Sequence, residues 1–245
     1  MAMASPLDPR TNHLLAALAP DEWQRLRPRL EWVDMRQGRV LHESGSGMNH
    51  VFFPTSAIVS LVVMTEDGGS AEIGVVGNEG VVGIELFLGG GSTPGRAVVR
   101  GAGQGFRLPA QTILDEFDRG GALMHRLLRY TEALITLTAQ TAVCNRHHSL
   151  DQRLCRWLLQ SLDRLQGCEL ATTQESIADM LGVRREGVTQ SALRLQRLGL
   201  IRYARGHISA LNRKGLEQRA CECYAVVRKE YDRLLPQAAQ AAQAA

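Results

Sequence analysis

The sequence predicts an α+β protein in which an N-terminal antiparallel β-roll is followed by one long helix and a C-terminal winged helix-turn-helix. Three observations carry this prediction. Glycines mark turns between short strands, and 18 of the 24 glycines lie between Gly38 and Gly121. From Leu123 onward, apolar residues recur at a helical spacing. Near the C-terminus, two short amphipathic patterns separated by one glycine precede a segment of alternating character.

The strands of the β-roll are predicted from five β-branched or alternating segments that are separated by glycine-rich breaks. These segments are RVLHE, HVFFP, AIVSLVVMTE, SAEIGVVG and RAVVRG. The predicted domain covers residues 33–120, with strands between about Val33 and Leu108. The segment TEDGGSAE predicts a hairpin in which Gly68 and Gly69 take positive φ. Residues 1–32 hold short helical patterns broken by prolines and are expected to form a helical lead-in.

A single apolar stripe predicts a long helix over residues 121–148. The members of the stripe are spaced alternately by four and three residues, and they are Leu123, Leu127, Tyr130, Leu134, Leu137, Thr141 and Cys144. A stripe this narrow is typical of a helix that packs against an equivalent helix, which a second copy of the chain can supply. The sequence therefore predicts a homodimer held by this helix. The alternative is that the helix covers the β-roll of its own chain.

A second, helical domain is predicted over residues 149–235. Ser149 and Gln152 form a capping-box pattern at its first helix. Further on, the segment TTQESIADMLGVRREGVTQSALRLQRLGLI begins with a second such pattern, Thr172 with Glu175, which predicts a helix over Thr173–Leu181.

Glycine then permits a tight turn at Gly182, after which a second helix begins. The segment LIRYARGHISAL alternates like a short hairpin that turns at Arg205 and Gly206. One helix is expected from about Arg213 to Leu235, followed by a low-complexity tail over residues 236–245.

The helix after Gly182 carries polar residues at its front, namely Arg184, Arg185, Glu186, Thr189 and Gln190. Its expected anchors are Val188, Leu193, Leu195 and Leu198. A helix about 10–12 Å across fits the major groove of B-DNA, where arginine addresses guanine, glutamate cytosine and glutamine adenine. These side chains predict double-stranded DNA as the partner. The alternative is an ordinary solvated helix surface with pairs between residues four apart.

Positive charge is concentrated in the second half of the chain. Residues 1–143 carry a net charge of −3, whereas residues 144–245 carry +6. Such a distribution is expected of a phosphate-binding module, although a solvated basic surface has the same composition. Contacts to the DNA backbone are expected from the following residues, with the wing arginine Arg205 foremost: Thr173, Arg184, Arg194, Arg197, Arg202, Arg205 and Lys214.

The β-rich half, the long helix and the helix-turn-helix with its wing together resemble the Crp/Fnr family of bacterial transcription regulators over nearly the whole chain. The resemblance implies a homodimer that binds a two-fold symmetric DNA site, responds to a small-molecule effector and, if it activates transcription, contacts RNA polymerase. The family's R-E-x-x-x-R core falls on Arg185, Glu186 and Gln190. Because the last arginine is replaced, the usual half-site is not expected at that position. Arg184 stands where the family often has a serine or threonine cap, and it suits a phosphate contact.

The family's cyclic-nucleotide cassette resembles the segment GVVGIELFLGGGSTPGRAVV, in which Gly83, Glu85, Arg96 and Ala97 match its parts. The glutamate is displaced by one residue, and no serine or threonine separates the arginine from the alanine. A shift of one residue in a strand turns a side chain to the opposite face, which argues against cyclic-nucleotide binding. A retained β-roll with a degenerate pocket is the favoured interpretation. Thr138 falls near the position that contacts the purine in such regulators.

The sequence argues against a metal centre, an enzyme and a membrane protein. Its cysteines are odd in number and contain no C-x-x-C pair, and Cys221 and Cys223 are expected on one helix, facing apart. His147 and His148 are assigned to an inter-domain hinge, and no N-terminal cysteine cluster suggests an iron–sulfur centre.

Common catalytic motifs are absent, and no signal peptide or membrane span is evident, which favours a cytoplasmic protein. The main rival to a DNA-binding regulator is a ligand-binding or protein-interaction module with a β-roll sensor and no specific DNA binding.

Overall fold

The structure is a computed structural model that describes residues 8–165, 169–204 and 206–236. The strands are Glu31–Met35 (β1), Val40–His42 (β2), His50–Pro54 (β3), Ile58–Met64 (β4), Ser70–Val76 (β5), Arg96–Gly101 (β6), Gly103–Pro109 (β7), Glu169–Ala171 (β8), Ile201–Ala204 (β9) and His207–Ala210 (β10). The α-helices are His13–Ala16 (α1), Pro20–Leu26 (α2), Ala110–Asp118 (α3), Ala122–His147 (α4), Leu150–Leu162 (α5), Gln174–Leu181 (α6), Arg185–Arg197 (α7), Arg213–Arg219 (α8) and Glu222–Leu234 (α9). Within the described ranges, no helix is long and apolar enough to cross a membrane.

Two antiparallel sheets form the N-terminal domain and confirm the predicted β-roll. One sheet has the strand order β1-β7-β3, and the other has the order β2-β6-β4-β5. Their buried side chains include Met35, Phe53 and Leu108 in the first sheet and Ile58 and Val99 in the second. These inward-facing positions of both sheets are apolar. Burying each such side chain removes it from water and stabilises the fold by about 1.5–3 kcal/mol.

The sequence patterns did not single out strands β1 and β7, which pair with each other from Glu31 opposite Arg107 to Met35 opposite Gly103. The glycines of β7 indicate turns when the sequence is read alone, but in the sheet they allow close packing. A Cβ atom on Gly105 would lie 2.5 Å from the terminal carbon of Met35 and 2.7 Å from the carbonyl oxygen of Phe53. Strand β7 therefore needs glycine where its neighbours approach the backbone.

The predicted hairpin joins β4 to β5, with Met64 opposite Ser70. Gly68 takes a positive φ of 87°, as expected. The same expectation for Gly69 is wrong, because Gly69 is not among the glycines with positive φ. One glycine is enough to reverse the chain here, since the turn also closes through a hydrogen bond from the Thr65 N–H to the Gly69 carbonyl oxygen at 2.8 Å.

Helix α4 confirms the predicted long helix, but its apolar stripe packs within the chain. All seven members of the stripe are buried in the single chain. Tyr130 packs on Gly80, where a Cβ atom would lie 2.4 Å from the tyrosine ring. Leu134 and Leu137 pack over Gly74 of β5, where a Cβ atom would lie 3.3 and 3.9 Å from them. The prediction that Leu123, Leu127, Tyr130, Leu134, Leu137 and Thr141 meet a partner helix is therefore wrong, because these side chains already cover the β-roll and the C-terminal domain.

Helix α5 begins at the predicted capping box, in which the Ser149 and Gln152 side chains bond reciprocally to each other's backbone N–H groups. The C-terminal domain also contains a small sheet in the order β8-β10-β9. Its β9–β10 hairpin confirms the predicted wing, with Ala204 opposite His207. Strand β8 was not predicted, because three residues are too short to show an alternating pattern.

The single helix expected from Arg213 to Leu235 is wrong. Helix α8 ends at Arg219, and α9 begins at Glu222. Ala220 and Cys221 between them have extended backbones, with ψ of 154° and 163°. Because Cys221 precedes α9, the expectation that it faces away from Cys223 also fails.

Buried polar contacts join the β-roll to the C-terminal domain. Arg100 of β6 is paired with Glu72 of β5 at 2.9 Å and donates to the Ser161 hydroxyl of α5 at 2.9 Å. Its guanidinium also lies 4.4 Å from the centre of the Trp157 ring. These contacts hold α5 against the sheet, and they make the orientation of the C-terminal domain depend on the β-roll.

Candidate nucleic-acid interface

Helices α6 and α7 form a helix-turn-helix whose turn is made by Gly182. Gly182 has φ 60° and ψ 45°, the left-handed conformation that glycine adopts without steric cost. The N-terminal cap of α6 is Thr173, whose hydroxyl accepts from the Ser176 N–H at 3.1 Å. The predicted cap, Thr172, is instead buried, and its carbonyl oxygen accepts from the Tyr203 hydroxyl of the wing at 3.2 Å.

The front of α7 is exposed as predicted. Arg184, Arg185, Glu186 and Gln190 all lie on the surface. In the part of the chain that the structure describes, neither Arg185 nor Glu186 forms an ion pair. Thr189 is half-buried and donates to the Gln174 side-chain oxygen of α6 at 2.6 Å, so it positions α7 against α6. The structure thus presents the acceptor oxygens of Glu186 and Gln190 and the donors of Arg184, Arg185 and Gln190 on a single exposed helix end.

The opposite face of α7 is buried through Val188, Ser191, Ala192 and Leu195. Leu193 was expected among the anchors but is 45% exposed. It lies three residues after Gln190 and seven after Glu186, and these spacings place all three on one side of the helix. Leu193 therefore extends the polar front with an apolar contact surface, which suits the methyl group of thymine.

Leu198 was also expected as an anchor, and it is 50% exposed. It caps the C-terminal end of α7, which ends at Arg197, and it is followed by Gly199 with φ 66°. After Gly199 the chain reverses and buries Leu200 and Ile201 instead, so the residue that continues the helical pattern is left outside the core.

The remaining basic residues differ in how they are held. Arg194 forms a bidentate ion pair with the Asp151 carboxylate of α5, with hydrogen bonds of 2.9 and 2.6 Å, and this pair fixes the orientation of the Arg194 side chain. Arg197, Arg202 and Lys214 are exposed on α7, β9 and α8. Arg205, the expected wing contact, lies outside the described residues.

Four of the five residues assigned to an effector pocket line one cavity of the β-roll. Gly83, Glu85, Arg96 and Ala97 surround a space of about 40 Å³. Arg96 is paired with Glu43 at 3.1 Å across its edge. The Thr138 hydroxyl donates to the Leu134 carbonyl oxygen of its own helix at 3.0 Å, and Thr138 is not among the residues that line this cavity.

His42 of β2 also lines this cavity and faces Gly83. Burial, followed by the charge of His50, lowers the pKa of His42 to about 4, so the ring is neutral at pH 7. Among the described residues, its buried Nε2 atom has no hydrogen-bond partner. Sequence patterns gave no signal for this histidine, because only the sheet packing brings β2 next to Gly83.

The surface of α4 that faces away from the β-roll carries a second helical stripe. Leu128 is 41% exposed and Ile135 is 63% exposed. Helix α9 runs antiparallel along another side of α4, from Cys221 beside Cys144 to Arg233 paired with Glu132 at 3.1 Å. The second stripe follows the same alternating spacing of three and four residues as the buried one, and it consists of His125, Leu128, Glu132, Ile135, Ala139, Ala142 and Arg146.

An exposed, polar helix front beside a wing, attached to a β-roll through a long helix, is the architecture of a winged helix-turn-helix domain joined to an N-terminal β-roll. Residues 152–219 match the Crp-like helix-turn-helix domain. No curated protein matches the chain in sequence. The chain thus contains a Crp-like helix-turn-helix domain and has the fold of the Crp/Fnr transcription regulators.

Solved structures of regulators share this fold at low sequence identity. A protein described as a Crp/Fnr-family transcriptional regulator from Eubacterium rectale is 19% identical, with a TM-score of 0.63 over 84% of this chain and 96% of that one. FixK2 from Bradyrhizobium japonicum is 16% identical, with a TM-score of 0.68 over 78% and 98% of the two chains. The c-di-GMP-responsive regulator CLP from Xanthomonas campestris is 15% identical, with a TM-score of 0.63 over 78% and 99%.

Proposed function

We propose that the protein is a homodimeric transcription regulator that binds a two-fold symmetric DNA site through α7. The observation that carries the proposal is the exposed front of α7, where Arg185, Glu186 and Gln190 project from a helix-turn-helix of the Crp-like type. Arg185 addresses guanine, Glu186 accepts from cytosine, and Gln190 reads adenine. In the dimer the two copies of α7 enter successive major grooves about 34 Å apart.

Contacts to the phosphate backbone supply affinity that does not depend on sequence. The exposed Arg184, Arg197, Arg202 and Lys214 support this role, and the Crp-like fold supports Arg205 as the wing contact. Arg194 is paired with Asp151, so it can bind a phosphate only when this ion pair opens or when its exposed guanidinium N–H groups reach the DNA beside the pair. Binding is accordingly expected to weaken steeply as salt concentration rises.

The second stripe of α4 is the surface that we assign to the dimer. It leaves Leu128 and Ile135 exposed at the spacing of a two-stranded coiled coil. A two-fold axis beside Ile135 would pack the two copies of α4 against each other and bury this stripe on both. Glu132 and Arg146 within it would remain near the edge of such a contact.

The cavity of the β-roll does not favour a cyclic mononucleotide bound in the family's usual way. A cavity of about 40 Å³ is far smaller than the roughly 300 Å³ of ordinary ligand pockets. Arg96 is also engaged by Glu43 at the cavity edge. We therefore propose that DNA binding does not require cyclic AMP.

The test is selection of bound sites from random duplex DNA, with and without cyclic AMP, at one stated salt concentration. A palindrome is expected in both arms. The Arg185→Ala variant should bind the selected site about 1–3 kcal/mol more weakly and should lose its preference at one base pair of each half-site. Arg36→Ala is the control, because it removes the same charge from the β-roll, where the Arg36 side chain is 85% exposed.

An unchanged specificity profile for Arg185→Ala would contradict the assignment of α7. Enrichment only in the presence of cyclic AMP would show that the displaced Glu85 still serves the nucleotide. Binding without a steep dependence on salt would favour the rival function, a β-roll sensor that acts on ligands or proteins rather than on DNA.

A further inference from the structure

Three cysteines and one histidine converge at the hinge between the two domains. Cys144 lies in the last turn of α4, and His148 caps the end of that helix. Cys221 and Cys223 lie at the start of α9. The four potential ligand atoms all lie within 4.8 Å of one another, and all three cysteines are buried.

The break between α8 and α9 is what brings these residues together. Cys221 caps α9 with an extended backbone, so its thiol points to the same side as that of Cys223 rather than opposite to it. Cys144 and His148 are four residues apart at the end of α4, a spacing that places both on one face. His147, the residue before His148, is exposed and is not part of the cluster.

The distances within the cluster are those of a small tetrahedral site. The Sγ atoms of Cys144 and Cys221 are 3.4 Å apart, and the Sγ atom of Cys223 lies 3.7 Å from Nδ1 of His148. Zinc–sulfur bonds of about 2.3 Å in a tetrahedron place neighbouring sulfur ligands roughly 3.8 Å apart. The ligands of an iron–sulfur cluster enclose several atoms and stand farther apart than these residues do.

The surroundings of the cluster suit a bound cation. Nε2 of His148 lies 3.2 Å from the Glu222 carboxylate, which accepts the Nε2–H proton and leaves the Nδ1 lone pair facing the thiols. A carboxylate that orients a histidine in this way is the usual support of a metal-ligating imidazole. The charge of the buried Arg156 acts on Cys144 and Cys223, and it offsets part of the negative charge of three thiolates.

We propose that Cys144, His148, Cys221 and Cys223 bind one zinc-class divalent ion in a tetrahedral Cys₃His site. Four protein ligands in a buried setting leave no coordination position for a substrate, which is typical of a structural site. Two of the ligands precede the matched helix-turn-helix domain at residues 152–219, and two follow it. The ion therefore fastens α9 to the end of α4 and closes the DNA-binding domain at its hinge.

The full-length protein, purified under reducing conditions, tests the site without any variant. We expect one zinc ion per protomer by elemental analysis. After removal of zinc by a chelator, one equivalent of Co²⁺ should give the visible bands of tetrahedral cobalt and a near-ultraviolet thiolate-to-cobalt band. Bound metal should also raise the midpoint of thermal unfolding, because it binds the folded chain.

Two variants and one control locate the ligands. Cys223→Ser should lose stoichiometric binding and weaken the thiolate band, whereas Cys155→Ser removes a buried thiol of α5 outside the cluster and should leave both unchanged. Glu222→Gln should bind Co²⁺ about 10–100-fold more weakly while keeping the spectrum, since it orients a ligand without being one. This last variant changes an exposed residue and so avoids the loss of folding that a buried substitution can cause.

Failure to bind a stoichiometric amount of Zn²⁺ or Co²⁺ under reducing conditions would overturn the proposal. So would equal affinity in Cys223→Ser and Cys155→Ser, a Cys144–Cys221 disulfide that persists after purification under reducing conditions, or an iron–sulfur chromophore. Because metal content is measured without DNA, these results are independent of whether the proposed DNA-binding function holds.

Discussion

His42 illustrates how single residues of the β-roll respond to burial. Its ring stacks edge-on against Phe52, with the ring centres 5.4 Å apart, and lies beside the small cavity of the cassette. The unfolded chain exposes this ring to water and gives it an ordinary pKa near 6.5, whereas burial lowers the pKa in the folded chain to about 4. Between these values the unfolded state binds more protons than the folded state, so His42 makes the protein less stable as pH falls.

We therefore predict that His42→Gln flattens the pH dependence of stability. Between pH 6.5 and 4, the free energy of unfolding of the wild type should fall more steeply than that of the variant, by at most about 1.4 kcal/mol per pH unit. Urea denaturation at several pH values measures both slopes. Parallel curves for the wild type and His42→Gln would show that burial does not hold this ring neutral.

At the scale of elements, α4 has three surfaces with different partners. One covers the β-roll through Tyr130 and Leu134, another packs along α9, and the third leaves Ile135 exposed. The regular apolar spacing predicted the helix correctly. It could not identify the surface that faces a second chain, because both stripes repeat with the same period and differ only in what packs against them.

The dimer prediction belongs to this element. Ile135→Asp should convert the dimer to a monomer, because it places a charge at the centre of the exposed stripe, where desolvation is costly. Sedimentation or light scattering at several protein concentrations measures the change.

Leu88→Asp is the matched control, since Leu88 is 51% exposed on the β-roll and lies outside α4. A dimer that withstands Ile135→Asp as well as Leu88→Asp would place the interface elsewhere. A wild-type protein that is monomeric would contradict the dimer itself.

At the scale of the whole molecule, buried polar contacts connect the two domains through Arg100, which donates to Ser161 of α5, and through the pair of Arg164 with Glu79. Glu72 pairs with Arg100, accepts from Ser60, and is 8% exposed, while Arg164 of the C-terminal domain reaches Glu79 of the β-roll at 2.7 Å. Burial lowers the pKa of Arg100, and the Glu72 carboxylate opposes that shift. A change in the β-roll that moves β5 or β6 would therefore act directly on α5.

We predict that Glu72→Ala lowers the free energy of unfolding by about 3–5 kcal/mol, because it leaves the Arg100 charge buried without its partner. Glu43→Ala is the control, since the pair of Glu43 with Arg96 is more exposed and should contribute about 1 kcal/mol or less. Chemical denaturation of both variants checks the difference. Equal losses would show that burial does not make the Arg100 charge depend on Glu72 as the contacts suggest.

The sequence by itself determined the order of the domains, most of their elements and the exposed front of α7. Glycine-rich turns, helical periods and capping residues act over a few neighbouring positions, so the β-roll, α4, α5 and the helix-turn-helix were predictable. The exposure of Arg185, Glu186 and Gln190 was predictable for the same reason, since they lie close together at the front of one helix.

Only the tertiary structure decided which apolar stripe of α4 is buried, where α8 and α9 separate, and that Cys144 and His148 meet Cys221 and Cys223. The contacts of Cys144 with Cys221 and of His148 with Cys223 join positions 77 and 75 residues apart. Packing between distant segments, rather than any local preference, brings them together.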